Sequence, residues 1–142
     1  MMTTVGQILR SKPDVYTVSP DETVFDALML MAEKNIGAVL VLEGGDVKGI
    51  FSERDYARRG ILRGHHSRET AVREIMTPEV ICIDPDATVD TCMALMTEKR
   101  IRHLPVVSSG RVVGIVSIGD VVRAVVDEQQ FTIQSLERYV TS

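Results

Sequence analysis

Residues 15–56 read VYTVSPDETVFDALMLMAEKNIGAVLVLEGGDVKGIFSERDY, and residues 80–121 read VICIDPDATVDTCMALMTEKRIRHLPVVSSGRVVGIVSIGDV. Superposed at an offset of 65 residues they align without a gap, and 17 of the 42 pairs are identical. The identities include Pro20/Pro85, Asp21/Asp86, Thr23/Thr88, Met31/Met96, Gly49/Gly114, Ser52/Ser117 and Asp55/Asp120. A repeat of this kind dictates architecture before any local signal is weighed. Two copies are too few for an open solenoid, so the halves are expected to close on each other as a pseudo-two-fold pair.

Within each copy the local signals agree. Val15–Val18 is a short β-rich run that meets the turn residues Ser19, Pro20 and Asp21. Thr23 then precedes Val24, Ala27, Leu28 and Met31, the spacing of a helix that buries one face. Thr23 and Asp26 form an acidic variant of a capping box, and Asn35 suits the left-handed exit. The second copy repeats this with Thr88, Val89, Cys92, Met93 and Met96. Two strand runs follow, Ala38–Leu42 and Val47–Phe51, around Gly44-Gly45, a hairpin signal. Their counterparts are Leu104–Val107 and Val112–Val116. A last helix starts after Ser52 and after Ser117. The expected fold is α/β (α+β), built from two β-α-β-β-α units.

The polar segment 65–71 reads as a linker, giving domains 1–66 and 67–142, the second with a carboxy-terminal helical tail. In that tail Phe131, Ile133, Leu136 and Tyr139 need something to cover them. Aromatic residues are only 4% of the chain, so aliphatic residues must fill the core, with Met29, Met31, Met93 and Met96 as filler. A net charge of -4 argues against bulk binding to nucleic acid. Cys82 and Cys92 are too few for a disulfide scaffold and are expected to be buried hydrophobes. Met1-Met2-Thr3-Thr4 opens no signal segment, and no apolar run approaches a membrane span, so a cytoplasmic protein is expected. Arg58, Arg59, Arg63, His65 and His66 form a basic stretch that reads as a solvated helix face, or alternatively as one that sends one or two arginines to the phosphate tail of a nucleotide. No metal site is expected, because nothing nearby completes the two histidines.

The residues that carry chemistry stand at the end of each copy: Gly49-Ile50-Phe51-Ser52-Glu53-Arg54-Asp55 and Gly114-Ile115-Val116-Ser117-Ile118-Gly119-Asp120. A helix amino terminus exposes unpaired N–H groups that suit phosphate. The serine hydroxyl can donate to the same anion, and an aspartate one turn on can accept from both hydroxyls of a ribose. Glycine in the strand leaves room for a flat base to approach. Ser-x-x-Asp is equally a capping box, with the serine holding an amide and the acid complementing the dipole. The residue pattern leaves both readings open. No Ser-His-Asp set or Walker loop is present, so no catalytic residue is assigned.

The Pro-Asp-x-Thr-Val opening, the His103-Leu104-Pro105-Val106-Val107 strand and the Gly114–Asp120 motif resemble the cystathionine β-synthase (CBS) domain family. A pair of such domains is called a Bateman module. The resemblance implies a non-catalytic module that binds an adenosine compound between the copies, with AMP first and ATP, ADP or NAD as alternatives. No catalytic cofactor is implied. In site A, Ser117, Gly119 and Arg102 would face phosphate and Asp120 the ribose, with Val15, Tyr16, Ile36, Gly37, Ala38 and Ile115 around the base. In site B, Ser52, Arg54 and Asp55 would take those parts, with Ile50, Val80, Ile81 and His103 around the base. The resemblance also implies a homodimer that signals by conformational change to a regulated protein in trans. A constitutive dimerisation or scaffold protein is the alternative.

Overall fold

A computed structural model of the chain describes residues 3–12 and 14–141, Thr141 by its backbone alone. Met1 and Met2, part of the amino-terminal reading above, lie outside the described residues. The chain forms two compact units. Unit I comprises Asp14–Ile81 with Ser109–Val112, and unit II comprises Met1–Pro13, Cys82–Ser108 and Val113–Ser142. The expected boundary between residues 66 and 67 follows the repeats, whereas these units exchange segments across it. The segment that precedes copy one, with Lys12, belongs to unit II, and the segment that precedes copy two, with Thr77, belongs to unit I.

In unit I, β1 (Thr17–Val18) runs parallel to β2 (Ala38–Glu43), and β2 pairs antiparallel with β3 (Asp46–Ser52). Gly44 and Gly45, at φ +60° and +86°, close the two-residue hairpin, which needs left-handed backbone at both positions. Helix α2 (Val24–Lys34) starts at Thr23, whose side chain accepts from the Asp26 N–H at 3.1 Å. It ends at Asn35, φ +54°. Val24, Ala27 and Met31 of α2 pack on Val18, Val39, Val41 and Phe51 of the sheet. Val72 and Ile75 complete this core from α4 (Val72–Ile75), the opening helix of copy two.

The segment 65–71 is therefore more than a linker. Its carbonyls serve the start of α2: the Val24 N–H donates to Thr70 at 2.8 Å and the Phe25 N–H to Ser67 at 2.9 Å. These are two of the donors that a helix start leaves without partners. The Val72 N–H returns the arrangement to Glu22 at 2.8 Å.

Unit II uses the same device with the copies reversed. Helix α1 (Val5–Arg10), capped by Thr4 and Gln7, is tied to copy two. The Val5 N–H donates to Ala87 at 2.8 Å, and the Val89 N–H to Thr3 at 2.9 Å. Helix α5 (Val89–Lys99) buries Val89, Cys92 and Met96. Strands β4 (His103–Ser108) and β5 (Arg111–Ser117) form the second hairpin, of which Ser109–Val112 count with unit I. The β1 counterpart shrinks to one parallel bridge, Ile83 with Val106. Pro105, which replaces Leu40, has no N–H for the ladder, so the partner of the Thr17–Leu40 pair is missing. Helix α6 (Ile118–Thr141) then runs for 24 residues.

The last helix of copy one starts after Ser52 as expected, where α3 (Glu53–Asp55) passes into a π-helical turn over Tyr56–Gly60 and a 3-10 turn over Ile61–Arg63. Two expectations need correction. Met31 and Met96 are core residues, but Met29 and Met93 are exposed because they sit off the buried stripe. Cys92 is buried, and that burial raises its thiol pKa, whereas Cys82 is exposed. Among the described residues no helix is long and apolar enough to cross a membrane.

Candidate functional site

Each last strand ends in a serine that caps the helix after it. Ser52 Oγ accepts from the Asp55 N–H at 3.1 Å, while Asp55 Oδ2 accepts from the Ser52 N–H and hydroxyl, both at 3.0 Å. Ser117 Oγ accepts from the Asp120 N–H at 3.1 Å, and Asp120 Oδ2 accepts from the Ser117 N–H at 2.8 Å. Both are reciprocal capping boxes with Asp in place of the usual Glu or Gln. The capping alternative left open by the sequence is therefore realised twice, through one oxygen of each carboxylate.

The two sites differ in what else each carboxylate meets. Asp55 Oδ1 accepts from the Thr77 hydroxyl at 3.1 Å, with the Arg59 guanidinium 4.0 Å away. Asp120 Oδ2 also takes the Lys12 ammonium at 2.7 Å, and the same ammonium donates to the Ile115 carbonyl at 2.7 Å. Asp120 Oδ1 has the Arg123 guanidinium at 3.7 Å, beyond hydrogen-bond distance. Burial raises the Asp120 pKa, but the bonds and charge of Lys12 and the bonds from Ser117 outweigh it. The carboxyl lies below its ordinary range and is ionised at neutral pH.

The strand glycines serve the chain itself, which corrects the expectation that they leave room for a base. A Cβ at Gly49 would lie 2.5 Å from the Thr77 carbonyl oxygen, and one at Gly114 would lie 2.6 Å from Leu9 Cδ2. Gly37 and Gly119 are different. A Cβ at Gly37 meets nothing within 4 Å, and one at Gly119 meets only Ser117 Oγ at 3.6 Å. Packing does not require glycine at either position.

Unit I holds six of the seven residues expected for site B: Ile50, Ser52, Arg54, Asp55, Val80 and Ile81. His103 belongs to unit II. Site A is divided, with Val15, Tyr16, Ile36, Gly37 and Ala38 in unit I and Arg102, Ile115, Ser117, Gly119 and Asp120 in unit II. Ala38 and Ile50 are buried core residues, while Val15, Tyr16, Ile36, Val80 and Ile81 are half-buried and Arg54 and Arg102 are exposed. The carbonyls of Gly37 and Arg102 accept the first helical N–H groups, from Glu53 at 3.1 Å and Ile118 at 2.9 Å. Those two amides are thus already bonded.

Unit II also contains a cleft of about 450 Å³, edged by Lys12, Asp120, Arg123, Ala124, Glu128 and Phe131 among others. That volume falls in the range of small-molecule sites. Of the site A residues only Asp120 lines it. Two cations beside a half-buried carboxylate can hold an anion while the carboxylate accepts from hydroxyls. Lys12, Thr77 and Arg123 were missed in the sequence. Lys12 and Thr77 occupy equivalent places at the 65-residue offset, just before Pro13 and Pro78, but their side chains differ. The shared position is therefore silent in a comparison of identities.

The sequence model of the CBS domain family matches residues 5–61 and 72–127. The chain belongs to the CBS domain family. It is a CBS domain pair, a regulatory module. The mitochondrial CBS domain-containing protein CBSX3 of Arabidopsis thaliana is 41% identical over 148 residues, covering 97% of this chain and 72% of that protein. Among solved structures, a putative signal-transduction protein with CBS domains from Burkholderia ambifaria is 52% identical with a TM-score of 0.86, over 92% of this chain and 99% of that one. A CBS domain pair solved with 5′-methylthioadenosine and S-adenosyl-L-methionine is 29% identical with a TM-score of 0.80, over 90% of this chain and 99% of that one. The resemblance read from the sequence and the α+β class are both borne out.

Proposed function

We propose that this CBS pair is a non-catalytic sensor of an adenosine nucleotide, AMP first and ATP or NAD as alternatives. Asp120 takes the ribose hydroxyls in this reading, and Ser117 with Lys12 or Arg102 takes phosphate. The pair works as a cytoplasmic homodimer and signals to a regulated protein in trans. A ligand shifts the arrangement of the pair only through unequal affinity for its two states.

The observation that carries the reading is Asp120 Oδ1, which keeps its accepting capacity while Oδ2 holds Ser117 and Lys12. Glycine at positions 37 and 119, which packing does not demand, adds support, as does the related pair solved with adenosine compounds. Calorimetric titration with AMP, ATP and NAD tests the proposal. Saturable binding of at least one supports it, and no heat with any of the three overturns it.

A second reading has its own observation: both Ser-x-x-Asp motifs form complete capping boxes and so need no ligand to explain them. The protein is then a constitutive scaffold. Thermal unfolding separates the two, since a ligand at 100 times its dissociation constant adds about 2.7 kcal/mol of stability. A scaffold shows no shift.

A further inference from the structure

Helix α6 carries an apolar seam that the rest of unit II does not cover. Its body-facing stripe consists of buried Val121 and half-buried Ala124, Val125 and Glu128. One residue further on, about 100° around the helix, run Val122, Val126, Gln129, Ile133, Leu136 and Val140. Their spacing alternates between four and three, the pattern of a coiled-coil seam. The five aliphatic members are 54%, 44%, 55%, 60% and 81% exposed, and Gln129 is exposed as well. The seam is about 27 Å long. Scattered exposed aliphatics need no explanation, but a continuous line at this spacing does.

We infer that this seam pairs antiparallel with the α6 seam of a second copy. The charges choose both the occupant and the direction. Antiparallel pairing sets Val122 opposite Val140, Val126 opposite Leu136, and Gln129 opposite Ile133. Every seam position then has a partner under one two-fold axis. The same register brings Arg123 beside Glu137 of the second copy, once at each end, and Gln130 beside its own equivalent. A parallel pair sets Arg123 near Ile118 and Glu137 near Thr132, with no opposite charges in reach. The seam is thus complementary to itself in one orientation. This inference deepens the homodimer reading above and does not depend on a nucleotide.

Sedimentation equilibrium of the full chain tests it, with circular dichroism to show that each variant keeps its helix. Wild-type protein is expected to dimerise reversibly, and Ile133→Glu to weaken the dimer at least about tenfold. Arg123→Glu or Glu137→Arg alone places like charges at both ends and weakens it roughly threefold to tenfold. The double exchange is expected to restore it. A dimer indifferent to Ile133→Glu overturns the seam and leaves the homodimer reading standing. A wild-type monomer overturns both. Loss of the dimer in each single charge variant without recovery in the double exchange overturns the antiparallel register.

Discussion

Lys12 Nζ lies 2.7 Å from Asp120 Oδ2, joining residues 108 apart in sequence. Its counterpart at the repeat offset, Thr77, meets Asp55 in the other unit at 3.1 Å. Each carboxylate that ends one copy is thus held by a residue that stands just before the other copy. One pair is an ion pair and the other a hydroxyl bond, so the two sites are alike in backbone and unlike in charge.

Lys12→Met removes the ammonium and leaves Asp120 with its bonds from Ser117. With both side chains partly screened by solvent, the loss at pH 7 is expected to be about 1–2 kcal/mol in urea unfolding. Thr77→Val, which removes a neutral donor, costs roughly 1 kcal/mol in the same assay. Equal costs would mean that the ammonium adds nothing beyond a hydroxyl.

The lowered Asp120 pKa gives this loss a pH dependence. A carboxyl depressed in the folded state adds stability above its unfolded pKa, and that stability disappears as pH falls through the folded value. Wild type and Asp120→Asn should therefore differ by a constant amount above about pH 5 and converge below about pH 4. Unfolding midpoints across that range measure the gap. A gap that widens in acid contradicts the assignment.

Gly49 and Gly37 make a paired test. Gly49→Ala drives a Cβ into the Thr77 carbonyl oxygen, backbone that cannot step aside cheaply, and is expected to cost about 1–3 kcal/mol. Gly37→Ala meets nothing and should change stability by no more than about 0.5 kcal/mol. If Gly37 borders a nucleotide, the same change weakens binding in calorimetry while the fold is untouched.

Arg100 ends α5 at φ +55°, where Asn35 ends α2 at φ +54°. Arginine has no local hydrogen bond that favours this region, whereas asparagine tolerates it. Arg100→Asn should stabilise the protein by about 0.5–1 kcal/mol in thermal unfolding. A destabilised variant would show that the arginine side chain makes a contact that outweighs the backbone strain.

Asp120→Asn and Asp55→Asn address the proposed ligand. Asparagine keeps an acceptor for the capping amide but loses the charge-assisted bonds to ribose, worth roughly 1.5–3 kcal/mol. Asp120→Asn should weaken nucleotide binding by about tenfold or more. Asp55 Oδ1 already accepts from Thr77, so Asp55→Asn should change the tighter binding event less. The reverse order would place the principal site in unit I.

Much of this was legible in the residues. The hairpin at Gly44-Gly45, the Thr23 and Thr88 caps, the Asn35 exit and the buried stripes of α2 and α5 are local signals, each set within a few residues. Where local signals compete, the residues do not settle the geometry. The helix after Ser52 tightens and loosens within eleven residues, and Pro105 shortens the β1 counterpart by withholding one N–H. The spacing of the serine and aspartate in each motif allows a capping box, and each pair forms one.

By itself the sequence determined the repeat and the order of elements, because periodicity and turn chemistry act over short separations; the family follows from the resemblance of its motifs. Only the tertiary structure decided that α1 joins copy two and α4 joins copy one, and that Lys12 rather than another cation meets Asp120. The physical reason is that these contacts close over long stretches of chain. The two equivalent positions hold different side chains, so no identity in the repeat marks the bond each of them makes.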